Sequence, residues 1–263
     1  MPDWIDHLLF VTLAVIFPLR AATFGFRRLL RASSAERPQV RRFLYVQAIA
    51  LQWILSGAVA LLWLGRGRAW THLGLVPHPT WALAGVAAGF AVVATVILVQ
   101  RRKAEHDDEA LATVRNRLRN VEVMMPHTRA ELGLFYRLAV TAGVCEELLY
   151  RGYLIWYFAH WTGVIPAAAL ASVLFGLGHS YQGLRGVLST ALVGAFLAAI
   201  YLLTGSLFAS MAIHAFMDLY AGSLGYLAFT RSPEPPAATE ADESMDAGAP
   251  AAGATSDPGA GRP

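Results

Sequence analysis

The chain has 263 residues, of which 56% are hydrophobic and 15% charged, with a formal net charge of +3 and a mean hydropathy of +0.46. A soluble domain carries about 25% charged residues, so an ordinary soluble globule is excluded, and long apolar runs place the chain in the membrane class. A single cysteine, Cys145, excludes an intrachain disulfide, and no Cys-x-x-Cys, Walker loop or dinucleotide-binding glycine pattern occurs. No nucleic-acid partner is expected; the lipid bilayer is.

Crossing a bilayer takes about 20 predominantly apolar residues. Seven stretches qualify, at roughly 8–26, 43–64, 81–100, 133–158, 164–181, 184–204 and 206–229. The fold class that follows is all-α, a polytopic transmembrane helix bundle with about seven spanning helices. The first stretch is interrupted by Arg20 and is the weakest. With no basic n-region or cleavage site before it, it reads as a retained helix and not as a signal peptide. Short links join the last four stretches, as between antiparallel neighbours in a bundle. Residues 1–230 are expected to form a single transmembrane domain.

The loops set an orientation. Arg27, Arg28, Arg31, Arg37, Arg41 and Arg42 follow the first stretch, and Arg101, Arg102, Lys103, Arg115, Arg117, Arg119 and Arg129 follow the third. The intervening 65–80 loop holds Arg66 and Arg68 alone. By the positive-inside rule the two basic loops are cytoplasmic, with the N-terminus outside and the C-terminus inside. In 101–132, Leu111, Val114, Leu118, Val121 and Met125 recur at helical spacing. This predicts either an amphipathic helix on the cytoplasmic membrane surface or a soluble connecting helix. Tyr150, Tyr153, Trp156 and Tyr157 are expected in an interfacial aromatic belt, with Trp4 and His7 as further anchors. Residues 231–263, rich in Pro, Ala, Gly, Asp and Glu, are expected to be a disordered cytoplasmic tail.

An ionisable group inside a spanning helix costs about 2.5–3.5 kcal/mol and needs a reason. Six such groups, Glu146, Glu147, Arg151, His179, His214 and Asp218, fall in the fourth, fifth and seventh stretches. These helices are therefore expected to share a polar cavity. Glu147 and Arg151 are four apart with the acid first, the favourable order for a helical ion pair. Glu146 is turned about 100° away, which leaves it free to act. His214 and Asp218 share one face of the last helix. Phe175 and His179 share one face of the fifth, with Phe175 walling the cavity. Cys145, beside Glu146, is expected to be a small packing residue and not a catalytic thiolate.

A carboxylate with two imidazoles suits hydrolysis in two ways. Glu146, helped by His179, can take a proton from water while His214 and Asp218 hydrogen-bond an oxyanion. Alternatively His179, His214 and Glu146 can hold zinc, which activates the water.

Three motifs give a resemblance. Glu146-Glu147-Leu148-Leu149-Tyr150-Arg151 matches E-E-x-x-x-R, Phe175-Gly176-Leu177-Gly178-His179 matches F-x-x-x-H, and His214-Ala215-Phe216-Met217-Asp218 matches H-x-x-x-N or D. In this order, inside apolar helices, they resemble the CPBP family of CAAX prenyl proteases and bacteriocin-processing proteins, over about residues 130–229. The resemblance implies an intramembrane endopeptidase, described for the family as either a glutamate protease or a metalloprotease. It makes Glu146 the base and His179 its helper. His214 and residue 218 form the oxyanion hole, and Glu147 and Arg151 are structural. The eukaryotic branch has Asn at the last position, a poor zinc ligand, so no cofactor is favoured, although zinc remains open. The expected substrate is a membrane-anchored or hydrophobic peptide or protein. The Arg, Ala and Gly bias suggests a bacterial inner membrane. The rival classes are a non-catalytic membrane adaptor or immunity protein, and a proton-coupled transporter.

Overall fold

A computed structural model describes residues 1–16, 25–76 and 79–231. Arg20, His78 and the expected tail from Ser232 onward lie outside the described residues. All regular structure within them is helical. The α-helices are α1 (Trp4–Val11), α2 (Phe26–Arg31), α3 (Arg37–Gly65), α4 (Trp81–Ala104), α5 (Asp108–Leu118), α6 (Arg129–Glu146), α7 (Ile155–Thr162), α8 (Val164–Gly178), α9 (Gly183–Thr204) and α10 (Leu207–Thr230).

Local chemistry explains the ends. Asp3 and Asp6 form a reciprocal cap on α1, and Thr128 and Glu131 do the same on α6. Pro38 fits the first turn of α3, where its missing N–H costs nothing. Gly205, at φ 66°, ends α9 in the left-handed conformation, and Ser206 then caps α10.

Four helices are long and apolar enough to cross a membrane: Arg37–Gly65, Trp81–Arg102, Ser180–Thr204 and Leu207–Thr230. The expected seven spans are not confirmed among the described residues. The apolar helix Trp4–Ile16 is shorter. So is α8, whose 15 residues extend about 22 Å, less than the ~30 Å hydrocarbon core. The stretch expected as one helix over 133–158 is a continuous helical passage from Arg129 to Thr162, but not a uniform one. A π-helical segment, Glu147–Leu154, separates α6 from α7 and contains most of the first motif. Such wider turns recur at functional sites.

The apolar core forms around that segment. Val59, Trp63, Leu73, Tyr153, Leu154, Phe175 and Leu207 are buried together. Tyr150, Tyr153 and Tyr157 are buried too, which corrects their assignment to an interfacial belt. Their rings pack inward, and the Tyr153 hydroxyl donates to the Asp6 carbonyl at 2.8 Å. His7 bonds the Tyr157 hydroxyl at 2.7 Å and so belongs to the packing, whereas Trp4 is exposed as an anchor should be.

The 101–132 segment also turns inward. Leu111 is buried, and Arg115 donates through Nε to the Ala228 carbonyl at 2.8 Å and through Nη2 to that of Arg231 at 3.1 Å. The guanidinium thereby satisfies carbonyls at the end of α10, where the helix itself supplies no donors. α5 is therefore a connecting helix docked on α10.

Two ion pairs, one buried and one partly buried, pin α3 at its ends. Near its start Arg41 donates twice through Nη1 to Glu131, at 2.9 and 2.8 Å, and through Nε to the Val123 carbonyl at 2.9 Å. Just beyond its end Arg68 forks onto Asp6, at 2.8 and 2.6 Å, between Trp63 and Trp156 rings 5.1 and 4.5 Å from its Cζ. The hydrogen bonds to Asp6 raise the Arg68 pKa above its ordinary value. Charge counting placed Arg41 among solvated loop residues; Arg41 is instead buried.

Candidate active site

α6 and α10 approach unusually closely one turn before the first motif. A Cβ added at Gly143 would lie 2.7 Å from the Ala215 Cβ and 2.8 Å from its backbone nitrogen. Only glycine permits that contact. Ala215 follows His214, so the contact sets the imidazole against the two glutamates. A similar approach joins α8 to α9, where a Cβ at Gly176 would lie 2.6 Å from the Val187 carbonyl. It places Phe175 and His179 beside the π segment.

His214 sits between Glu146 and Glu147. Its Nδ1 donates to Glu147 Oε1 at 2.7 Å, and its Nε2 is 4.0 Å from Glu146 Oε2 and 3.6 Å from Asp218 Oδ2. Glu147 Oε1 also accepts from Arg151 Nη1 at 2.8 Å. The expected ion pair is present, but it is not isolated: the same oxygen holds the His214 ring. Arg151 continues to the Gly194 carbonyl at 3.2 Å and lies over Phe175, its Cζ 4.2 Å from the ring centroid. Gly194, on α9, leaves room for that guanidinium, 3.4 Å from where a Cβ would be.

Phe175 connects the two histidines. Its ring is edge-on to His214 at 5.8 Å, 4.9 Å from His179 and 5.1 Å from Tyr150, centroid to centroid. The axial offset of about 10 Å between the histidines, implied by uniform helices, does not keep them apart. α8 ends at Gly178, and His179 caps it outside the helical conformation. His179 Nδ1 bonds the Phe175 carbonyl at 2.9 Å. A ring that donates from Nδ1 has its Nε2 free to accept a proton when neutral.

Glu146 is not free, contrary to the expectation from helical phase. Its Oε1 accepts a hydrogen bond from Gln52 Nε2 at 2.9 Å. Gln52 lies on α3 and is 4% exposed, and sequence reasoning passed over it because it carries no charge. Its one signal was an amide near the middle of a mostly apolar span, a signal it shares with Gln47. The side chain of Asp218 is 41% exposed, so the cluster opens on that side. Cys145 is a buried free thiol, as a packing residue would be.

Glu146, Glu147, Arg151, His214 and Asp218 thus come together with Phe175 and His179 along one wall. The helices that supply them are those the charge pattern indicated, with α3 and α9 added. Among the described residues no three His, Cys, Asp or Glu side chains converge as a metal-ion ligand set. The alternative grouping of His179, His214 and Glu146 does not meet that geometry.

Helices apolar enough to cross a bilayer, enclosing buried carboxylates, imidazoles and a guanidinium, define an integral membrane protein with a polar intramembrane site. Residues 128–220 match the model of the family described as Type II CAAX prenyl endopeptidase, Rce1-like. This is the family the three motifs resemble, and the matched segment contains all of them. No curated protein and no solved structure matches the chain.

Proposed function

We propose that the chain is an intramembrane endopeptidase that hydrolyses a peptide bond in a membrane-associated protein or hydrophobic peptide. The observation that carries this reading is His214 held by Glu147 while its other nitrogen faces Glu146 and Asp218, deep in an apolar bundle. A cluster of charges this expensive to bury needs a return in function. The match over 128–220 to a peptidase family supports the same reading.

In the proposed reaction Glu146 takes a proton from water, with the His179 Nε2 lone pair helping to orient that water. The hydroxide oxygen bonds the peptide carbonyl carbon, and the carbonyl electron pair moves onto its oxygen. His214, as an imidazolium, donates to Glu147 from Nδ1 and to the oxyanion from Nε2, with Asp218 beside it. Collapse breaks the C–N bond, and the proton held by Glu146 passes to the leaving amine. Glu147 and Arg151 position His214. Water and Glu146 supply every proton in this sequence, so no metal is needed. The site is assigned to a bacterial inner membrane, with the basic loops cytoplasmic.

The test is comparative peptide mapping of membrane proteomes from cells expressing the wild type or Glu146→Gln. New N-termini present only with the wild type would identify substrates. Identical maps, with both proteins folded and inserted, would sink the protease reading.

A further inference from the structure

We infer that Gln52 is a positioning residue for Glu146, tying down one carboxylate oxygen so that the other stays aimed at the hydrolytic water. The inference rests on the reading of Glu146 as the proton acceptor. It adds α3, which lies outside the matched segment 128–220, to the machinery.

Three observations carry it. The first is the hydrogen bond itself, 2.9 Å from Gln52 Nε2 to Glu146 Oε1, between residues 4% and 9% exposed. An ionised carboxylate only accepts, so the amide must face it with its NH2 group. The second is what this leaves behind. Among the described residues, Gln52 Oε1 is buried and has no hydrogen-bond partner. Leaving a buried acceptor without a partner is costly, so it is the bond to Glu146 that fixes the orientation of the amide. The third is direction. With Oε1 of Glu146 tied to Gln52, its Oε2 is the oxygen that faces His214 Nε2, at 4.0 Å. The free oxygen of the base is therefore the one beside the proposed oxyanion donor.

Holding Oε1 stops the carboxylate from rotating about its Cγ–Cδ bond, so Oε2 stays aimed at the reacting water. Orientation of this kind contributes when reacting atoms are brought within about 3–3.5 Å. It acts on the chemical step and not on substrate binding.

Two variants test the inference, read with an internally quenched peptide copied from a segment cleaved by the wild type but not by Glu146→Gln. Gln52→Met keeps length and volume and removes both polar atoms. We expect normal amounts of folded protein, kcat at least tenfold lower and KM within twofold of wild type. Gln52→Glu keeps the length and can donate to Glu146 only while the introduced carboxyl is protonated. We expect partial activity at acidic pH that disappears as pH rises, a limb the wild-type profile lacks. Wild-type kcat in Gln52→Met would overturn the inference and leave the protease reading standing, as would kcat and KM falling together with loss of folded protein in both variants. Identical proteomes with wild type and Glu146→Gln would remove the protease reading itself, and the inference with it.

Discussion

At the scale of single residues, the division of labour between adjacent glutamates is the sharpest consequence of the geometry. Glu147 and Arg151 are almost wholly buried, and each is the other's charged partner at 2.8 Å. Removing one leaves an uncompensated buried charge, at roughly 3–5 kcal/mol. Glu147→Ala and Arg151→Ala are therefore expected to lower the yield of folded protein, measured by size-exclusion chromatography in detergent. Glu146→Gln keeps the shape and Gln52 as a neighbour, and should fold normally while losing activity. A well-folded, inactive Arg151→Ala would contradict this division. Asp218 gives a second contrast. It is partly exposed and only 3.6 Å from His214, and as a neutral acid it could donate to the oxyanion, so Asp218→Asn should retain much of the activity, because the amide donates a hydrogen bond at nearly the same place. Chelator-sensitive cleavage together with a folded but dead Asp218→Asn would point instead to metal dependence, since metal sites lose tenfold or more on such changes.

At the scale of helices, the site depends on close approach more than on charge. A methyl group at Gly143 would collide with backbone and side chain of Ala215. Overpacking of this kind costs about 1–3 kcal/mol, and here it would push His214 away from Glu147. Gly143→Ala should reduce both thermal stability and activity, and Ala215→Gly should restore part of each, since one colliding atom is then gone. Unchanged activity in Gly143→Ala would mean that the helices tolerate separation.

The element scale also shows what was legible in the sequence. Glu146, Glu147, Arg151, His179, His214 and Asp218 were identifiable because each is expensive in an apolar run, and their spacing gave the Glu147–Arg151 and His214–Asp218 pairs. Three features were not legible. Helical phase put Glu146 and Glu147 on different faces, yet both reach His214, because the imidazole lies between them and its two nitrogens face opposite ways. The aromatic belt was placed from the residue types and their position near the end of the stretch, which do not tell an interfacial ring from one packed into the core, where Tyr153 and Tyr157 lie. Gln52 was missed because insertion cost singles out charges and an amide is cheaper to bury. Apolarity likewise does not separate spans from shorter apolar helices, since hydropathy marks α8 as membrane-like without regard to its length.

At the scale of the whole molecule, the distribution of arginine gives a topology to test. Cysteines introduced at Ser34 and Asp107 should resist membrane-impermeant reagents in intact cells, and one at Thr71 should react. All three positions are exposed, and native Cys145 is buried and should stay silent. The reverse pattern would invert the orientation.

The doubly anchored α3 has a further consequence, which concerns bilayer thickness. Its 29 residues extend about 43 Å, close to the 40–45 Å of a bilayer with its headgroups. Arg41 is locked to Glu131 near one end, Arg68 to Asp6 beyond the other, and Gln52 stands near the midpoint. A helix fastened at both ends can neither tilt nor slide to follow a thinner or thicker membrane without breaking an ion pair. The lipid must deform around it instead, at fractions of a kcal/mol per ångström. The depth of Glu146 is then a property of the protein and not of its host membrane. In vesicles of short-chain and long-chain lipids the enzyme should cleave the same peptide bond, and a cut site that migrates with chain length would show that the anchors give way.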